Sequence, residues 1–353
     1  MSMAMGSSLL IWIDISDLDD LVEIINTVRD LDVDCVITMG AGSISDACKN
    51  VKLGLSQNVK TKEDFLKLRA KIVFETGSLE LPDIPWNPLT LKLICIPTSL
   101  SAGEYNPASG ALDRATGKKV PYYHTDSMPD VIICDPFLAT KTPEWVWMST
   151  GVRSIDHAVE TLTNIDVDLK DPYYSEAYDA AKEALLLLME GLILSKEDPH
   201  NVGARELCQR GGWKASLAIV RKVPMGASHA IGHILGYVGG VAHGHTSCVC
   251  MPAVQRYNYK VTSKQQDEIR DLLVSKGIVR RLGLEDEKDL QCWKILLAFI
   301  KFIGMPSTLT EVGVKREQYQ KIAEMTLTDF WSRTNAIPLT TEEQVMEILE
   351  TIG

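Results

Sequence analysis

The sequence predicts a two-part chain: a parallel α/β region over residues 1–141, then an all-helical region over 142–353. Three observations carry this. Apolar runs at 34–39, 91–96 and 131–134 each end in a glycine or polar turn, as strands of a parallel sheet do. Segments with helical spacing lie between some of them. Beyond Thr142-Pro143 long helical patterns take over, and 353 residues suffice for two cores.

The elements follow in order. Leu9-Leu10-Ile11-Trp12-Ile13 lacks a basic leader and runs into Asp14, Asp17, Asp19 and Asp20, so it predicts a buried strand rather than a signal peptide. Leu21, Ile24, Ile25 and Val28 share one helical face within 18–30. Asp34 to Met39 predicts a fully buried strand. It ends in Gly40-Ala41-Gly42-Ser43, and Ile44 to Leu53 returns to helical spacing. Strand, glycine turn and helix together form a phosphate-binding arrangement, because the turn brings free helix-start amides close to a ligand. Residues 56–90, polar and then proline-rich, predict a helix and a surface loop. The strand at Leu91–Ile96 leads into Pro97-Thr98-Ser99 and the small-residue stretch Leu100-Ser101-Ala102-Gly103-Glu104, which admits a close ligand. Val131 to Cys134 is the third strand. Helices are then expected near 144–165, 173–195, 202–220, 227–238, 264–282, 287–303 and 315–332.

Charge and composition exclude several classes. A net charge of -11 opposes nucleic-acid and anionic-membrane partners, which require a basic face. No apolar run reaches the length of a membrane span. The eight cysteines include no C-x-x-C pair and read as reduced core residues of a cytoplasmic protein. Trp145, Trp147, Tyr122, Tyr123 and Trp213 read as core at these spacings, with a cleft role as the alternative.

The chemistry-bearing signal is histidine. Of seven in the chain, four fall in two motifs: Gly226-Ala-Ser-His229-Ala-Ile-Gly-His233 and Gly240-Val-Ala-His243-Gly-His245. The first pair lies on one helix face. Upstream, Arg153-Ser-Ile-Asp156-His157-Ala-Val-Glu160 adds a fifth. Three imidazoles suit a divalent transition metal completed by a carboxylate or water. A structural role as satisfied core residues is the alternative.

Here the sequence resembles the iron-type alcohol dehydrogenase family of the dehydroquinate synthase-like superfamily. Gly40-Ala-Gly-Ser-Ile-Ser-Asp46-Ala-Cys-Lys49 resembles its G-G-G-S-x-x-D-x-A-K turn, and Pro97-Thr98-Ser99 with Ala102-Gly103-Glu104 its P-T-T-x-x-T-G-S-E segment. Pro129 with Asp135-Pro136, the His229, His233 and His243 spacing, and Leu309 with Glu311-Val312-Gly313 add to the likeness, which runs from about residue 20 to the end. The maleylacetate reductase branch and fungal relatives are also similar. The resemblance implies a Rossmann-like nucleotide domain, a helical catalytic domain, NAD(P), a small-molecule substrate and a homodimer. Gly40, Ala41, Gly42, Ser43 and Asp46 are then expected at the pyrophosphate side, and Thr98, Ser99 and Ser101 near the nicotinamide ribose. The family's iron or zinc ligands match Arg153, His157, His229 and His243.

Two departures redirect this expectation. Arg153 stands where the family has a metal carboxylate, and a guanidinium cannot ligate a metal. The reading therefore leans to a metal-free pocket in which Arg153 polarises a carbonyl or clamps a carboxylate. A metal held by His157, His229 and His243, or Arg153 turned away into an ion pair, are the alternatives. The second departure is a short N-terminus, which lacks at least part of a βαβ unit before Gly40. The leading functional expectation is an NAD(P)-dependent oxidoreductase acting on a carbonyl or alcohol, including one bearing a carboxylate, with His233 or His243 relaying the proton. A lyase, isomerase or cyclase using the same pocket is the second reading, and a non-catalytic relative the third.

Overall fold

A computed structural model describes residues 17–31, 33–73, 78–116, 118–285 and 290–353. The strand expected at Leu9–Ile15 lies outside them. The chain divides into two compact units. Of the described residues, the first takes in those within 17–73, 79–97 and 103–133, and the second 78 and those within 98–102 and 134–353.

In the first unit, helix α1 (Leu18–Arg29) starts at Asp17, whose carboxylate accepts the Asp19 amide. It buries Leu18, Leu21, Ile24, Ile25 and Val28, the face its spacing predicts. Strand β1 (Cys35–Gly40) turns at Ala41 into helix α2 (Gly42–Ser56), and α3 (Lys62–Lys67) follows. A short ribbon pairs β2 (Lys71–Val73) with β3 (Ser78–Glu80). Strand β4 (Lys92–Pro97), hairpin β5 (Ala108–Asp113) and β6 (Lys118–Tyr123), and β7 (Val131–Ile132) complete the unit. The parallel sheet runs β1-β4-β7, with Cys35 beside Lys92 and Ile94 beside Val131. The antiparallel hairpin was not visible as two strands in the sequence.

One expectation for this sheet is corrected. Residues 34–39 read as buried on both faces, yet β1 is one-sided. Thr38 is buried, whereas Ile37 is 65% and Met39 61% exposed. Helix α2 packs on one side of the sheet, and Ile37 and Met39 point to the other, where they are exposed.

The second unit is helical: α4 (Pro136–Ala139), α5 (Glu144–Leu162), α6 (Pro172–Glu197), α7 (Val202–Val220), α8 (Ala227–Gly239), α9 (His243–Ser275), α10 (Ile278–Arg281), α11 (Cys292–Phe302), α12 (Tyr319–Thr326) and α13 (Glu342–Glu350). Helix α9 was expected only from 264 but starts at His243 and bends at Thr262. Its first half is buried on nearly all sides, from Gly244 through Gln255, so it carries no amphipathic period to read. Pro252 within it further disguises the helix. Two cores result. One gathers α5, α6, α7 and α11 around Trp147, Leu188 and Phe299, and the other gathers α8, α9, α12 and α13 around Ile231, Val254 and Ile348. Among the described residues, no helix is long and apolar enough to cross a membrane, and all eight cysteines are free.

Candidate active site

The second unit brings four of the five singled-out histidines into a row. The rings of His157 and His229 stack with centroids 4.8 Å apart. His229 meets His233 edge-on at 6.4 Å, and His233 lies parallel to His243 at 6.4 Å. Helix periodicity places His229 and His233 one turn apart on α8. Gly240, with φ of 65°, ends that helix in a left-handed conformation, and the chain re-enters as α9 at His243. His245, next along, packs instead against Trp145.

Each of two imidazoles on α8 has a carboxylate on Nδ1. His229 Nδ1 lies 2.7 Å from Glu160 Oε2, with both side chains 4% exposed. His233 Nδ1 lies 2.9 Å from Asp329 Oδ2, with the imidazole 38% and the carboxylate 14% exposed. Glu160 also accepts the amides of Gly226 at 2.8 Å and Ser228 at 3.0 Å. It thereby caps α8, whose own N-cap, Gly226, has no side chain to do so.

Arg153 is 5% exposed and donates to Ser247 Oγ at 3.0 Å. Ser247 and Ser228 hydroxyls both donate to Asp156 Oδ2 at 2.7 Å. The guanidinium is thus linked to Asp156 through a serine rather than by a direct ion pair. Burial pushes the carboxyls of Asp156 and Glu160 up from their ordinary range, and the charge of Arg153 opposes the shift in both. Burial drives His157 and His229 well below the ordinary imidazole range, reinforced by neighbouring imidazoles and by Arg153. Both are therefore neutral at pH 7. Asp156, Glu160 and His229 place ligand-type atoms within 4.8 Å of one another. Among the described residues, Asp156 Oδ1, His157 Nδ1 and His229 Nε2 are buried without a hydrogen-bond partner.

The model for the C-terminal part of the Fe-containing alcohol dehydrogenase family matches residues 147–353, and that for iron-containing alcohol dehydrogenase matches residues 14–136. The chain belongs to this family. It is 32% identical to dehydrogenase ALT3 of Alternaria alternata, over 94% of this chain and 87% of that one. It is 31% identical to dehydrogenase FUM7 of Gibberella moniliformis, over 92% and 79% respectively. Among solved structures it shares its fold with sulfoacetaldehyde reductase from Bifidobacterium kashiwanohense in complex with NAD+, with TM-score 0.76, 21% identity, and 97% and 82% of the two chains covered. Maleylacetate reductase from Agrobacterium tumefaciens is similar at TM-score 0.71 and 20% identity, over 96% and 80% of the two chains. As a member of this family the chain is an oxidoreductase.

The remaining expected site residues divide between the units. In this iron-containing alcohol dehydrogenase family member Gly40, Ala41, Gly42 and Ser43 form the turn between β1 and α2. A Cβ on Gly40 would sit 2.7 Å from Ile44 Cγ1, so any larger residue there would have to displace the Ile44 side chain. Among the described residues, no side chain caps α2 at Ala41. Asp46 is engaged within its own unit: it pairs with the buried Lys49 at 3.0 Å and accepts the Gly110 amide at 3.1 Å. Thr98, Ser99 and Ser101 belong to the second unit, where Ser99 and Ser101 hydroxyls lie 3.0 Å apart and Thr98 O accepts the Thr142 hydroxyl. Of the aromatic residues considered, Trp147 and Tyr122 are fully buried, while Trp145 and Trp213 are exposed.

Sequence reasoning missed Asp329 and the serines 228 and 247. Glu160 had a detectable signal, since it follows His157 by three residues on one helix. Asp329 had none, being 96 residues from the imidazole it binds.

Proposed function

We propose that the chain interconverts a carbonyl and an alcohol with NAD(P) as partner, in a pocket that works without a metal ion. The observation that carries the metal-free reading is Arg153, a buried permanent cation one helical turn before His157. The neighbouring carboxylates support it. The oxygens of Glu160 are already taken by three donors and Asp156 Oδ2 by two hydroxyls, which leaves Asp156 Oδ1 as the open carboxylate oxygen. The orphaned nitrogens of His157 and His229 lie within the influence of the guanidinium charge. Such a set does not fit a divalent ion, and no step here runs through one.

The β1–α2 turn fits a dinucleotide pyrophosphate. The uncapped start of a 15-residue helix leaves its first amides available to an anion, and Gly40 lets the backbone close on it. Gly40, Ala41, Gly42 and Ser43 hold the pyrophosphate, Asp46 and Lys49 brace the helix behind them, and Thr98, Ser99 and Ser101 serve the nicotinamide end. The bound nicotinamide supplies or accepts the hydride. Arg153 stabilises negative charge developing on the substrate oxygen or carried by a substrate carboxylate. His157 and His229, held neutral, shape the pocket. The proton passes through His233, the half-exposed imidazole with a carboxylate behind it. The exposed Ile37 and Met39 of β1 support pairing of two copies.

The test combines calorimetric titration with NADH and NADPH, metal analysis of protein purified without chelator, and Arg153→Gln. Binding of one nucleotide, sub-stoichiometric metal and a fall in kcat/KM of about 10²–10³ are expected. Stoichiometric iron or zinc would overturn the metal-free reading. Turnover without any nicotinamide would favour the lyase, isomerase or cyclase reading.

A further inference from the structure

We propose that Asp329 is the positioning residue of this site, fixing the ring and tautomer of His233 so that Nε2 faces the reacting oxygen. The inference rests on the proposed proton relay through His233 and adds to it a residue from a distant part of the chain.

The geometry supports this at each step. Asp329 sits in the turn after α12, where its amide donates to Thr326 O at 3.1 Å. Its Oδ1 accepts the Trp331 amide at 2.9 Å and caps the turn Phe330–Ser332. One oxygen is thus held by backbone, which leaves Oδ2 aimed at His233 Nδ1. The segment that follows is itself fastened to the start of α8. Thr334 donates its hydroxyl to Met225 O at 2.6 Å, and Asn335 Oδ1 accepts the Ala227 amide at 3.1 Å. Asn335 and Asn258 of α9 exchange two further bonds of 2.8 Å. The carboxylate is therefore delivered to the same helix that carries the imidazole, from a segment locked to it.

The two His–carboxylate pairs on α8 look alike but differ in access. His229 is enclosed with Glu160 and serves packing and capping. His233 is the one a ligand can reach. A carboxylate is an acceptor only, so Oδ2 selects the tautomer with hydrogen on Nδ1. Nε2 then takes a proton as a lone pair and returns it as N–H, and Nδ1–H stays with Asp329 throughout. Arg153 also feels the charge of Asp329, so the same carboxylate partly balances the guanidinium.

The experiment uses the full chain and two variants. Asp329→Asn keeps the oxygen that caps Trp331 but offers His233 an N–H, which forces Nδ1 to accept and moves the hydrogen to Nε2. Asp329→Ser retains a capping hydroxyl and is too short to reach His233. Long-range ¹H–¹⁵N spectra of the ring nitrogens should show His233 as the Nδ1–H tautomer in the parent and as the Nε2–H tautomer in Asp329→Asn. Both variants should lose about 10²–10⁴-fold in kcat, with nucleotide affinity within threefold of the parent. An unchanged tautomer in Asp329→Asn, or a kcat within threefold of the parent, would overturn the proposal. If the parent shows no nicotinamide-dependent turnover, the proposed NAD(P) reaction fails, and the tautomer spectra still decide whether Asp329 orients His233.

Discussion

Removal of the Glu160 carboxylate should cost the second unit a large share of its stability, and the size of the loss can be worked from three bonds. Gly226 N, Ser228 N and His229 Nδ1 all point at this one group, at 2.8, 3.0 and 2.7 Å. Each buried donor left without an acceptor costs about 1–3 kcal/mol. Glu160→Ala orphans all three, for a sum of about 3–9 kcal/mol. Water relieves part of this. A cavity of about 10 Å³, the space of one water, already adjoins Glu160 beside Thr163, Asn164 and Gln255, and the truncation enlarges it. The lower part of the range, about 3–5 kcal/mol, is therefore expected, against a total stability of about 5–15 kcal/mol for ordinary domains. Glu160→Gln behaves differently. Its amide nitrogen settles at the Oε1 position, opposing only the Ser228 amide, while its oxygen keeps Gly226 and His229. One lost bond predicts about 1–3 kcal/mol. Urea unfolding followed by tryptophan fluorescence, with slopes equal to the parent's, reads both values. A Gln variant as unstable as Ala, or an Ala variant within about 1 kcal/mol of the parent, would refute the view that this carboxylate caps α8 and anchors His229.

Two further predictions follow from the same physics. Raised carboxyls such as Asp156 and Glu160 contribute stability that is complete below about pH 4 and is lost as pH rises through their elevated folded values. Lowered imidazoles such as His157 and His229 contribute above about pH 6.5 and lose that contribution as pH falls. Between about pH 5 and 6.5 the two trends oppose each other, so the parent's urea midpoint should change little. Asp156→Asn removes one falling contribution, and its stability should rise relative to the parent by up to about 1.4 kcal/mol per pH unit in that window; parallel pH profiles for the two proteins would count against it. In the first unit, Lys49 Nζ donates to the carbonyls of Gly103, Asn106 and Ala108 and pairs with Asp46. Lys49→Met strands that carboxylate and three acceptors, for a loss of about 3 kcal/mol and weaker binding of NADH by the neighbouring turn; an unchanged melting profile with unchanged NADH affinity would argue against both.

How much of this was legible beforehand depends on the range of the interaction concerned. Helix α1, strands β1 and β4, the glycine turn at 40–43 and the His229–His233 pair were readable because each is a local pattern whose period or spacing is written in consecutive residues. Arg153 in place of a metal carboxylate was readable for the same reason, from its four-residue offset to His157. Three features were not. The first half of α9 is buried all round and so has no period. The exposure of Ile37 and Met39 depends on what covers the sheet, which no strand-length window contains. The partners of the histidines depend on packing between helices far apart in sequence: Glu160 reaches His229 across 69 residues, and Asp329 reaches His233 across 96. The sequence by itself determined which chemical groups the chain carries and that two of its imidazoles share a helix face. Only the tertiary structure decided that one of these is enclosed and neutral and the other reachable and backed by a carboxylate. The physical reason is that burial and orientation are properties of the assembled helices, and no single helix holds them.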